Sequence, residues 1–127
     1  MKLETVITDD DEMVIFLHKI SVVESGLCEK PVIAYNGSQA FQYIATHAND
    51  SFLILLDLNM PEMDGWQFLD AIQKIKDTRI YVVVVTSSVD ARDRKKAYTY
   101  PQVIDYVEKP LSIENCLQIK NHVTALT

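Results

Sequence analysis

Glycine, proline and cysteine are all scarce in this chain: three, four and two residues among 127. So little Gly and Pro excludes collagen-like and low-complexity architectures. With 48% hydrophobic residues, a disordered chain is excluded as well. The two cysteines, Cys28 and Cys116, form no C-x-x-C pair and have no histidine at ligand spacing, so neither a disulfide framework nor a zinc site is expected. They read as packing thiols in a reducing, cytoplasmic setting. Positive charge is also short: 12 Lys and Arg stand against 18 Asp and Glu, a net charge of −6. Binding to nucleic acid or to an anionic membrane surface needs the opposite balance, so neither is an expected partner. The one basic cluster, Arg92, Arg94, Lys95 and Lys96, has Asp90 and Asp93 within it and reads as a solvated helix face. No apolar run approaches the ~18 residues of a membrane span, and the opening segment MKLETVITDDDE has no apolar core of a signal peptide.

What is present is alternation. Short apolar, β-branched runs (Leu3–Ile7, Val32–Tyr35, Phe52–Leu56, Tyr81–Val85 and Val103–Val107) alternate with longer stretches of helical period. FLILL and YVVVV are too apolar to belong to strands with one wet face, which is the habit of a parallel sheet covered on both sides. Met13, Phe16, Leu17 and Ile20 recur at helical spacing, as do Gly65, Phe68, Leu69 and Ile72; shorter stripes are Ala40, Phe41, Ile44 and Ile113, Cys116, Leu117. Asn36, Asp64 and Ser112 stand where helix caps are expected. Five β-α units with right-handed crossovers make an α/β, doubly wound five-stranded parallel sheet. In such sheets ligands sit outside the carboxyl ends of the strands, so the residues after each strand are the candidates.

Asp9, Asp10, Asp11 and Glu12 follow the first strand. A helix N-terminus favours carboxylates and accounts for Asp11 and Glu12. Asp9 and Asp10, at the mouth of a buried strand, are the oxygen-rich pair that a hard divalent cation takes. Asp57 ends the third strand directly after five apolar residues; it is either a loop carboxylate capping a turn or a functional group, because an unpaired buried charge is costly. Thr86, Ser87 and Ser88 end the fourth strand with hydroxyls and backbone N–H groups, Ser88 alternatively capping the next helix. Lys109 ends the fifth as a counter-charge. Carboxylates, a hydroxyl and an ammonium converging from different strands suit phosphoryl transfer to a carboxylate, with Asp57 as nucleophile and Mg2+ held by Asp10 and Asp57.

In this combination the chain resembles a response-regulator receiver domain of the CheY type. The resemblance rests on DDD after strand one, DLNMPEMDG after strand three, TSS after strand four and DYVEKP around strand five, in that order along the whole chain. It implies strand order 2-1-3-4-5 and one receiver domain over residues 1–127 without an output domain. Asp57 matches the phosphoacceptor and Asp10 a direct Mg2+ ligand, with Mn2+ as the alternative ion. Asp9 matches the acid that holds a metal-bound water, and Asn59 the residue whose main-chain carbonyl completes the metal site. Thr86, Ser87 and Lys109 match the phosphate ligands, Thr86 and Tyr106 the switch pair, and Asn59 and Ser88 the positions that tune phosphoryl lifetime. The Lys109-Pro110 bond is expected to be cis. Two positions depart from the family pattern: Thr8 replaces an aliphatic residue, and Pro101-Gln102 replaces a Gly-Ala pair.

The expected function is that of a stand-alone response regulator in a two-component or phosphorelay system, catalysing its own phosphotransfer and autodephosphorylation. Its partners would be a sensor histidine kinase or histidine phosphotransfer protein and a downstream protein target, and it would be a monomer or a phosphorylation-dependent dimer. If Met13, Phe16, Leu17 and Ile20 face the sheet, Ile15, His18 and Val22 point outward beside the acidic residues and form the docking face. The alternative is a haloacid-dehalogenase-like phosphatase using Asp57 as nucleophile, but that chemistry wants an acid where Asn59 stands. A flavodoxin-like FMN binder would need a phosphate-binding loop where DDDE is found. Trp66, close to the candidate site, is expected to report Mg2+ binding by its fluorescence.

Overall fold

The computed structural model describes residues 2–127; Met1, the first residue of the expected 1–127 domain, lies outside them. The elements run β1 (Leu3–Thr8), α1 (Glu12–Glu24), β2 (Val32–Ala34), α2 (Gly37–Thr46), β3 (Ser51–Leu56), α3 (Gly65–Ile72), β4 (Ile80–Thr86), α4 (Ala91–Ala97), β5 (Val103–Glu108) and α5 (Ile113–Leu126). The strands pair in parallel in the order β2-β1-β3-β4-β5. This is the doubly wound sheet that the alternating runs imply.

Period-two alternation divides each buried strand between two cores. Ile54, Leu56, Val82 and Val84 face one side with Ala40, Ile44, Phe68 and Leu69 of α2 and α3. Leu53, Leu55, Val83 and Val85 face the other with Ile15, Val22, Cys116 and Ile119 of α1 and α5. Burial on both faces is why FLILL and YVVVV carry no polar residue. Caps fix where the helices begin. Asn36 accepts from the Gln39 N–H, while Asp64 with Gln67 and Ser112 with Asn115 form reciprocal capping boxes. Asp90, not Ser88, caps α4.

The facing of α1 is the reverse of the expectation. Ile15, His18 and Val22 are buried, at 7%, 3% and 0% exposure, whereas Met13, Phe16, Leu17 and Ile20 are 43–65% exposed. Ile15, His18 and Val22 therefore form no docking face. The helix is apolar nearly all round, so its own spacing offers two competing stripes. The inward one includes a histidine because a hydrogen-bond donor from another element meets it there. In α5 the expected stripe holds only at Cys116, which is buried with Ile119 and Val123, whereas Ile113 and Leu117 are exposed. Burial pushes the Cys116 thiol up to about 11, as befits a packing group.

The segment around Pro101 is held by side chains from α3. The Tyr100 hydroxyl donates to Asp70 at 2.6 Å, and Gln73 donates to the Gln102 side chain at 2.7 Å. β5 then enters the sheet with a register shift: Val82 pairs with Val103 and Val83 with Asp105, leaving Ile104 as the extra residue.

Candidate functional site

Sheet pairing carries the backbone of the candidate residues slightly beyond the strands. The Asp9 N–H donates to the Ala34 carbonyl at 3.1 Å, Asp57 N–H to Thr8 at 3.0 Å and Lys109 N–H to Thr86 at 2.9 Å. The turns after β1, β3 and β5 are thereby each pinned to the end of a neighbouring strand at the carboxyl edge. Asp9 is 2% exposed and Asp57 5%, while Asp10 is exposed. One carboxylate oxygen each of Asp9, Asp10 and Asp57 lies within 4.8 Å of the others. Lys109 reaches in from β5, its Nζ 2.7 Å from Asp9 Oδ2 and 3.4 Å from Asp57 Oδ1. The other Asp9 oxygen accepts from the Asp11 N–H at 3.0 Å.

The charges do not balance. Burial raises the Asp57 pKa above its ordinary value and the neighbouring Asp9 adds to this; Lys109 and the Asn59 N–H offset only part. At Lys109, burial acts to lower the pKa, but the Asp9 hydrogen bond and the two carboxylate charges outweigh it, and the ammonium sits above its usual value. A cluster of hard oxygen donors with one ammonium among three carboxylates is short of positive charge. That is the donor chemistry a small divalent cation fits, and receiver-type Mg2+ binding is consistent with it.

The remaining candidates surround this centre. Asn59 and Ser87 are exposed, Thr86 fully buried. The Thr86 hydroxyl accepts from the Ser88 N–H at 3.2 Å, and the Ser88 hydroxyl donates to Asp93 at the start of α4, at 2.7 Å. Tyr106 is half-buried; its hydroxyl is 3.5 Å from the Ser88 carbonyl and the Arg94 guanidinium lies 5.6 Å from its ring centroid. Thr86, Ser88 and Tyr106 thus form one hydrogen-bonded group next to α4. The Lys109-Pro110 bond is cis.

Two loops shape the acidic edge. A Cβ at Gly65 would lie 2.6 Å from the Asp57 carbonyl and 2.7 Å from Leu58 Cα, so α3 starts against the backbone of the Asp57 turn. Glu62 adopts a left-handed φ of 65°, and its carboxylate accepts from the Asn36 side-chain amide at 2.9 Å.

Reasoning from sequence missed several partners. His18 and Ser21 on α1 both bond to the backbone of Leu111 after β5; the available signal was a polar i, i+3 pair inside an apolar helix. Trp66 on α3 carries the Lys96 ammonium 4.3 Å from its ring centroid and lies beside Tyr100. Glu4, on a buried strand, accepts from the Tyr43 hydroxyl and pairs with Lys2.

The 2-1-3-4-5 order and the acidic edge define the CheY-like class of α/β folds. The family model for the response regulator receiver domain matches residues 5–121, and the chain belongs to that family. Among curated proteins it is 30% identical over 122 residues to the two-component response regulator ARR22 of Arabidopsis thaliana, covering 95% of this chain and 83% of that protein. It is 35% identical over 85 residues to the probable methanogenesis regulatory protein FilR2 of Methanothrix harundinacea, covering 63% of this chain and 54% of that protein. Against a hybrid signal transduction histidine kinase of Dictyostelium discoideum, the chain spans 5% of the relative's length. A solved two-component response regulator from Cytophaga hutchinsonii superposes with a TM-score of 0.86 at 26% identity, covering 98% of this chain and 99% of that one. The chain is accordingly a response-regulator receiver domain, the phosphoacceptor signalling module of two-component systems. The phosphatase alternative finds no support in these relatives. Among the described residues, no helix is long and apolar enough to cross a membrane.

Proposed function

We propose that Asp57 is the phosphoacceptor of this receiver. The observation that carries this reading is the burial of the Asp57 carboxylate within reach of both Lys109 and the Asp9–Asp10 pair. An Asp57 oxygen attacks phosphorus, the bond from phosphorus to the donor breaks, and the donor leaves with that bond's electrons: an imidazole from a phosphohistidine, an acetate from acetyl phosphate. Asp10, Asp57 and the Asn59 main-chain carbonyl would hold Mg2+ or Mn2+, with Asp9 holding a metal-bound water. When bound, the ion supplies positive charge to the phosphoryl oxygens. Lys109, the Thr86 hydroxyl and the Ser87 N–H take the remaining oxygens. Asn59 and Ser88 stand at the positions that tune the lifetime of the group during autodephosphorylation.

Phosphorylation adds about −1.5 to −2 charge at pH 7. Thr86 leaves the Ser88 N–H for the new oxygens, and Tyr106, bonded to the same residue, follows it inward. The contact surface of α4, β5 and α5 changes as a result, by a shift between two populations. A sensor histidine kinase or a histidine phosphotransfer protein is the phosphodonor. It docks on the exposed stripe Met13, Phe16, Leu17 and Ile20, which adjoins the acidic edge through the Asp11 cap.

Gel mobility in a phosphate-affinity matrix after incubation with acetyl phosphate and Mg2+ tests the acceptor. Wild type is retarded and Asp57→Asn is not; equal labelling of the two excludes Asp57. For docking, Phe16→Asp slows transfer from a protein donor while leaving acetyl phosphate labelling intact.

A further inference from the structure

The turn that carries Lys109 is gripped from α1. The Leu111 N–H donates to His18 Nε2 at 3.2 Å, and the Leu111 carbonyl accepts from the Ser21 hydroxyl at 2.9 Å. His18 and Ser21 stand three apart and therefore on one helix face. His18 is 3% exposed and Leu111 2%, so water does not compete for the contact. Two residues earlier, the Lys109 N–H is bonded to the Thr86 carbonyl at 2.9 Å. The segment from 109 to 111 is thus fastened at one end to β4 and at the other, through both polar groups of one peptide residue, to α1.

We propose that His18 and Ser21 are positioning residues for Lys109: by holding the Leu111 backbone they fix the turn from which the Lys109 ammonium reaches the acidic edge. To accept from an N–H, His18 Nε2 must be unprotonated, which places the ring proton of a neutral imidazole on Nδ1. Burial lowers the His18 pKa, and Lys109 acts in the same direction against Asp9, so the neutral form is the favoured one. α1 begins at the Asp11 cap, beside Asp9 and Asp10. The helix therefore links the segment that carries Asp9 and Asp10 to the turn that carries Lys109, and the clamp fixes the one relative to the other. An ammonium misplaced by an ångström loses much of its effect on a phosphoryl oxygen.

This rests on the reading of Lys109 as a phosphoryl ligand, and Lys109→Ala tests that reading separately. The probes are Mg2+ alone and beryllium fluoride with saturating Mg2+, titrated on full-length wild type, His18→Leu, His18→Gln, Ser21→Ala and Lys109→Ala. His18→Leu leaves the Leu111 N–H without an acceptor, whereas His18→Gln retains one. His18→Leu and Ser21→Ala each weaken beryllium fluoride binding by about tenfold. Their Mg2+ affinity stays within about twofold of wild type, since the ligands of the ion do not move, and His18→Gln restores tight beryllium fluoride binding. In metal-free protein the Leu111 amide exchanges faster in His18→Leu and at the wild-type rate in His18→Gln. If Lys109→Ala binds beryllium fluoride as wild type does, the lysine reading fails. If Lys109→Ala is weakened but folded His18→Leu and Ser21→Ala are not, the positioning role is wrong. Should His18→Leu not fold, Ser21→Ala decides by the same criterion, and weakened beryllium fluoride binding in folded His18→Gln would also count against the positioning role.

Discussion

Lys109 stands closer to Asp9 than to Asp57: its ammonium is 2.7 Å from the one carboxylate and 3.4 Å from the other. In the metal-free protein this lysine is the counter-ion of two buried acids at once. Removing one partner of a buried charge cluster leaves the others uncompensated. Lys109→Met is expected to lose about 3 kcal/mol of stability in urea titrations without metal. Millimolar Mg2+ recovers a larger share in the variant than it adds to wild type. A variant as stable as wild type in chelator would show that the three groups are not coupled.

Asp57 gives a pH dependence whose sign follows from its raised pKa. Burial comes first and Asp9 second among the causes. Near the ordinary value of 3.8, the native protein holds its proton while the unfolded chain releases it. Stability therefore falls as pH rises through the window above 3.8 and stays reduced above the native value. Asp57→Asn removes the penalty. In chelator, the variant is expected to be more stable than wild type by about 1 kcal/mol at pH 7, with the gain shrinking toward pH 4. A gain that is constant over this range would assign it to something other than ionisation.

The regions legible in the sequence are those where one residue type settles the matter locally. An aspartate directly after FLILL, a lysine at the end of VIDYVEK and a doubly apolar strand each stand out against their neighbours. The facing of α1 was not legible, because Met13-Val14-Ile15-Phe16-Leu17 offers apolar residues on every side. What selects the buried stripe is the Leu111 backbone, 93 residues from His18. For α5, Ile113 and Leu117 form as regular a stripe as Ile119 and Val123, and only the sheet beneath distinguishes them.

Gly65 marks the tightest approach to the Asp57 turn. A methyl group there meets the Asp57 carbonyl at 2.6 Å and Leu58 Cα at 2.7 Å, both backbone atoms that cannot rotate away. Gly65→Ala is expected to cost about 2 kcal/mol in thermal or urea unfolding, and to weaken Mg2+ binding because Asp57 moves with the turn. Unchanged Mg2+ affinity would mean that the helix, not the turn, yields.

Thr8 is the departure from the family pattern with a visible energetic signature. Its hydroxyl is buried with no hydrogen-bond partner, the sole such side-chain atom among the described residues. Thr8→Val keeps the shape and removes the stranded hydroxyl, so a gain of about 1 kcal/mol is expected in urea unfolding. A loss instead would reveal a water bound to the hydroxyl.

The contact between Lys96 and Trp66 supplies an optical readout without labelling. The chain has one tryptophan, and an ammonium from α4 sits 4.3 Å from the centroid of its indole on α3. A nearby positive charge shifts indole emission according to its direction and distance. The emission maximum of the unmodified protein therefore acts as a ruler between α3 and α4. It would record any sliding of α4 that accompanies the proposed Thr86 and Tyr106 rearrangement, in real time and in solution.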